Sequence, residues 1–240
     1  MLLRPTLLLQ LRTFLRERCP CAKLARKLAT KIHDISCTIS PALPVFPGDP
    51  PPRVRRRIQM SRGAPYNVSE LVLGSHTGTH IDAPYHFEPR GKTIEKLSLD
   101  ILVGPCCVVE ISKAKVITRA HVDALSLNGV KRVLFKTRNS RFWGKKFHRS
   151  FTYIASDAAE ALVQKGVQLV GIDYLSVEKF GSKDFATHHA LLRRGIVILE
   201  GLALAKIKPG KYQLVALPLK IRGGDGSPAR AILIESGITP

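Results

Sequence analysis

The sequence predicts a single domain of mixed α and β structure in which strands outnumber helices, and three observations carry that reading. The 240 residues are 45% hydrophobic and 23% charged, the balance of a globular chain long enough to bury its own core. Short apolar, β-branched runs at 106–111, 132–137, 168–171, 196–200, 212–219 and 229–234 read as strands. Segments with helix starts and stops lie among them, at 118–127, 157–165 and 187–194, and 94–102 reads as a fourth short helix or irregular chain.

Residues 1–31 hold eight Lys or Arg and one acid, Glu17. This Leu- and Arg-rich extension has the composition of a mitochondrial presequence, or else of a basic tail that stays attached. A secretory signal fits less well, because Gln10 and Arg12 break the apolar stretch Leu7–Leu15. The chain is therefore expected in the cytoplasm or mitochondrion, not secreted. No run approaches the roughly 18 apolar residues of a membrane span, so no transmembrane segment is expected. Cys19, Cys21, Cys37, Cys106 and Cys107 make an odd set without a C-x-x-C pair, which argues against a disulfide framework.

Residues 32–240 are expected to form the folded domain. A strand is read over Asp34–Ile39, and then six prolines and one glycine between Ser40 and Pro52 forbid regular structure. The basic run Arg53–Arg57 opens a strand to Met60, read as a solvated edge because no aromatics interleave it. Tyr66–Gly74 alternates as a further strand and delivers the chain to a histidine-rich loop. Cys106–Ile111 follows Gly104-Pro105, with its two cysteines facing opposite sides of the sheet. Thr118 caps one helix and Ser156 another, the latter stopped by Gly166. Asp173, at the end of the 168–171 strand, is either a site residue or a turn former or helix cap. Arg222–Pro228 is a glycine-rich turn lacking P-loop spacing, with Asp225 or Ser227 a candidate for the pocket rim.

The chemistry concentrates in His76-Thr-Gly-Thr-His80-Ile-Asp82-Ala-Pro84-Tyr-His86-Phe87. Three imidazoles and a carboxylate in twelve residues point to metal ligands, against the alternative of ordinary loop hydrogen bonds. In one straight strand His76 and Asp82 would stand about 20 Å apart, and Thr-Gly-Thr before Pro84 is poor helix material. A bend at Gly78 is needed to gather His76, His80 and Asp82, leaving His86 over. Such donors suit zinc, manganese or ferrous iron with coordination positions open to water. Glu200 ends the apolar strand from Ile196, on the face of Ile196 and Ile198. Burial there demands a metal or an arginine as partner.

This stretch resembles the H-x-G-T-H-x-D-x-P-x-H-F signature of the cyclase-like metal-dependent hydrolases, which include bacterial kynurenine formamidases and isatin hydrolases. Phe46-Pro-Gly-Asp49, Gly104-Pro105, Gly171-Ile-Asp173, Ile198-Leu-Glu200-Gly201 and Leu217-Pro218-Leu219 extend the likeness from about His33 to Ile234. The resemblance implies a swivelling β/β/α fold and a homodimer or higher oligomer. It also implies two divalent ions, Zn2+ or Mn2+, with Asp82 shared and His188 and Glu200 completing the set. His188, rather than the adjacent His189, has the family's spacing to Glu200. Phe46 stands where the family usually has a pocket-lining Trp. His86 is then the expected general acid/base.

An aromatic amide is the implied substrate, N-formylkynurenine first and a cyclic amide such as isatin second. A net charge of +20 suits an anionic substrate, and it also supports a third reading, a non-catalytic basic binding protein on the same fold. No specific nucleic-acid partner is expected.

Overall fold

The computed structural model describes residues 31–144 and 146–235; the basic extension and its targeting role lie outside them. Ile32–Glu235 forms one compact unit. Its strands are β1 (Ile32–Asp34), β2 (Arg53–Ile58), β3 (Val68–Val72), β4 (His80–Asp82), β5 (Val103–Ile111), β6 (Val116–Ile117), β7 (Arg132–Thr137), β8 (Tyr153–Ile154), β9 (Leu169–Ile172), β10 (Val197–Glu200), β11 (Gly210–Pro218) and β12 (Gly226–Glu235). The helices are α1 (Leu99–Leu102), α2 (Arg119–Asp123), α3 (Ser156–Gln164) and α4 (Ala186–Leu192).

The main sheet runs β1-β12-β11-β5-β7-β9-β10-β4, and a further β12–β4 pairing closes seven of these strands into a ring with β1 on the outside. Strands β5, β7, β9 and β10 are parallel neighbours, joined by crossovers that carry α2, α3 and α4. The remaining ring contacts are antiparallel. Closure removes the exposed edges that an open sheet would leave.

Strand alternation separates two cores. Ile81, Leu134, Leu169, Val197, Leu199, Leu214 and Leu233 fill the ring interior. Val133, Phe135, Val170, Ile172 and Ile198 face outward and pack under Val122, Leu162 and Leu191 of the helices. Because side chains alternate along a strand, Glu200 shares the outward face with Ile198, and His80 and Asp82 share it across the β10–β4 register, where Glu200 opposes His80 and Ile198 opposes Asp82. The polar cluster therefore sits in the layer between sheet and helices.

Several boundaries differ from the sequence reading. The first strand ends at Asp34, not Ile39, and beyond it only Ser36 makes a bridge, to Leu202. The cap of α3 is Ala155, with Ser156 already helical. His80–Asp82 is a short buried strand rather than loop, held on both sides by β10 and β12. The glycine-rich turn is shorter than expected, because β12 starts at Gly226. The arginine-bearing β2 pairs only with β3, in a separate exposed ribbon where Arg57 meets Glu70 at 2.8 Å.

Candidate metal centre and active site

The loop before β4 turns at Gly78, whose φ of +68° is a conformation glycine adopts without strain. Gly201, just past β10, has φ +72°, and a Cβ there would fall 1.9 Å from the Gly78 oxygen. The two loops thus touch backbone to backbone, and Thr79 Oγ1 locks them by donating to the Gly201 carbonyl at 2.6 Å. That contact brings β4 and the end of β10 into one site.

His76 Nδ1 lies 2.7 Å from Asp82 Oδ1. His80 Nδ1 donates to the Gly78 carbonyl at 2.9 Å, which turns Nε2 toward Asp82 at 3.3 Å and Glu200 at 3.4 Å. From α4, His188 Nε2 reaches Asp82 Oδ2 at 3.9 Å and Glu200 Oε1 at 3.8 Å. The five sequence-predicted donors therefore converge, in two sets that share Asp82: His76, His80, Asp82 and Asp82, His188, Glu200. Among the described residues, the nearby charged partners of Glu200 are histidines, and no arginine neutralises it.

His80, Asp82, His188 and Glu200 are all buried, and among the described residues His80 Nε2 and Asp82 Oδ2 have no hydrogen-bond partner. Buried polar atoms left without partners are costly. Two of them, within groups of imidazoles and carboxylates whose donor atoms lie within 4.8 Å of one another, fit a divalent cation.

The electrostatics agree. Burial opposes charge on His76, but Asp82 and Asp225 outweigh it and pull its pKa up to about 10. Burial likewise opposes charge on His80, yet Asp82 and Glu200 raise it to about 9. Burial and then the Asp82 charge push Glu200 upward. Asp82 is held well below the usual carboxylate range by His76 and His80 despite its burial. Without a metal, protons on two imidazoles supply the positive charge that the carboxylates need.

His86 stands beside the donor sets. Its ring lies against that of His76, centroids 4.0 Å apart, and burial lowers its pKa to about 4, leaving it neutral at physiological pH. A cavity of about 350 Å³ opens over His76, His80, His188 and Glu200. Phe46, Phe87, Leu175, Phe180 and Phe185 wall it, with Lys179 among its lining residues. Phe87 stacks on His188 at 4.4 Å. Phe185 is the single non-glycine residue with positive φ among the described residues, at +48°.

Glu178 escaped the sequence reading. It accepts from the N–H groups of Thr187 and His188 at 3.0 and 3.2 Å and faces His188 Nδ1 at 3.3 Å. It fixes the start of α4 and the ring of His188 together. Nothing in the local sequence, where Ser176 and Lys179 flank it, marked Glu178 as the partner of His188 ten residues on. Asp173 proves to be the turn former: it accepts from the Thr137 and Ser140 N–H groups and hydroxyls. Ser227 serves the backbone of Leu219 and Pro228, whereas Asp225 reaches His76 at 2.9 Å and is drawn down to about 2 by that bond.

A seven-strand ring with a buried His/Asp/Glu centre at the end of its parallel strands defines the class. Residues 33–179 match the Cyclase family, described as "Putative cyclase", and the chain belongs to that family. Among curated relatives, it is 41% identical to the kynurenine formamidase of Geobacillus thermodenitrificans (strain NG80-2), over 85% of this chain and 97% of that protein. It is 42% identical to the kynurenine formamidase of Salinibacter ruber, again over 85% and 97%. A solved structure described as a potential metal-dependent hydrolase with cyclase activity aligns with TM-score 0.76 at 36% identity, covering 88% of this chain and all of that one. Among the described residues no helix is long and apolar enough to cross a membrane.

Proposed function

We propose that this chain hydrolyses the formyl amide of an aromatic amine, converting N-formylkynurenine and water to kynurenine and formate. In this reading two divalent ions, zinc or manganese, are held by His76, His80 and Asp82 and by Asp82, His188 and Glu200. The observation that carries it is the pair of unpartnered buried atoms, His80 Nε2 and Asp82 Oδ2, under an aromatic-walled cavity. The kynurenine formamidase relatives supply the substrate.

Bound ions would polarise the amide carbonyl and acidify water. The chain supplies the rest. Phe46, Phe87, Phe180 and Phe185 hold the aromatic ring and keep bulk water out. His86, neutral and beside His76, takes the proton as the water oxygen bonds to the formyl carbon, and returns it to the nitrogen as the C–N bond breaks. Such general acid/base work contributes about 10²- to 10⁴-fold in rate. Glu178 keeps the His188 ring oriented, as hydrogen-bond partners of ligating histidines do.

The test is formate release from N-formylkynurenine by purified protein with Zn2+ or Mn2+. Asp82→Asn, which weakens the shared ligand, should abolish it; equal release by both proteins would sink the proposal. Isatin belongs in the same panel, since faster turnover of a cyclic amide would redirect the substrate assignment. The reading also carries a homodimer or higher oligomer and a cytoplasmic or mitochondrial location, checked by light scattering and by cell fractionation.

A further inference from the structure

The glycine-rich turn at 222–226 lies outside the two donor sets that share Asp82, yet its acid, Asp225, groups with His76 and His86 beside them. We propose that Asp225 is a positioning residue that fixes the ring of His76 for metal binding. This rests on the reading that the centre binds a divalent cation. Asp225 Oδ2 accepts from His76 Nε2 at 2.9 Å and from Ser75 Oγ at 3.2 Å, while His76 Nδ1 faces Asp82 at 2.7 Å. One ring nitrogen is thereby committed as a donor to Asp225, and the other is presented to the carboxylate of Asp82, the residue the two donor sets share. A carboxylate behind a ligating imidazole sets its tautomer and raises its basicity.

The surroundings hold Asp225 in place. Its own carbonyl accepts from Ala83 N at 2.9 Å, and that of Gly224 accepts from Ile94 N at 2.8 Å. Gly226 pairs with Asp82 in the β12–β4 register, and a Cβ at Gly226 would come within 2.8 Å of both His76 Cε1 and the Ile81 oxygen. The missing side chain lets the imidazole lie against the turn that carries its acceptor. His86 Nδ1 lies 3.6 Å from the same Asp225 oxygen, too far for a hydrogen bond, so His76 is the ring that Asp225 directs.

Asp225→Asn, nearly isosteric, tests this with two readouts. Zn2+ affinity, measured by competition with a chromophoric chelator, should weaken about 10- to 100-fold, with the number of ions bound at saturation unchanged. With N-formylkynurenine, kcat should fall while KM stays within about twofold. Zn2+ affinity within about twofold of the parent would overturn the proposal. So would loss of a whole bound ion at saturation, which would make Asp225 a ligand, or a change confined to KM, which would place it on the substrate. The affinity arm needs no substrate, so a parent protein that binds zinc but releases no formate would sink the formamidase reading and leave this inference to stand or fall on the chelator result.

Discussion

His76 and His80 carry protons in the metal-free protein because Asp82, Asp225 and Glu200 surround them, with pKa values near 10 and 9 against an ordinary 6.5. A metal can bind only their neutral forms. Zn2+ binding at pH 7 should therefore release on the order of two protons, read by calorimetry in buffers of different ionisation enthalpy; heats independent of the buffer would show that the imidazoles are already neutral. At Gly201 a single methyl is decisive. Gly201→Ala would drive a Cβ into the Gly78 oxygen and put alanine at φ +72°. Left-handed strain and overpacking together cost about 2–5 kcal/mol, so urea denaturation should show a large loss, and surviving protein should bind Zn2+ weakly because β4 and β10 are pushed apart.

Elements whose signals are local were legible. Arg132–Thr137 matches β7 residue for residue, since Val133-Leu134-Phe135, buried on both faces, marks a strand without other information. Gly166 and Gly195 end their helices at positive φ as expected. The gathering of His76, His80 and Asp82 was legible too, because their spacing brings them together only if the chain bends at Gly78, whereas His188 and Glu200 entered through the family resemblance. What could not be read was long-range. Strand β4 is three residues long and becomes a strand only by pairing with β10 and β12, more than a hundred residues away. Glu178 and Asp225 carry no sequence signal of their partners, which are set by how the crossovers fold back. The two readings of Asp173 were separable only once Thr137 and Ser140 were found around it. Asp173→Ala would leave four donors at the end of β7 without their acceptor. A loss of about 2–4 kcal/mol is expected at 1–3 kcal/mol for each donor left buried, with water recovering part. Because Asp173 does not touch the donor sets, Zn2+ affinity should hold; a matching fall in affinity would return Asp173 to the site.

At the scale of the whole molecule, the ring is closed by the strand that carries two of the donors, so the state of the centre and the stability of the fold are linked. The sign follows from the histidines. In the metal-free protein their pKa values are raised above the unfolded value, so their contribution is fully present below about pH 6.5. It is lost as pH climbs through about 9 and 10. Metal-free protein should therefore melt at progressively lower temperature from pH 6.5 to 10. With excess Zn2+ the slope reverses over the lower part of that range, because each step up in pH removes protons that compete with the ion and so strengthens a ligand bound only by the folded state. Calorimetric melting temperatures collected with chelator and with metal should accordingly lie close together at low pH and diverge as pH rises, the metal-loaded form gaining most above neutrality. Parallel curves would mean that the imidazoles of β4 and its preceding loop are not what couples the ring to the ion.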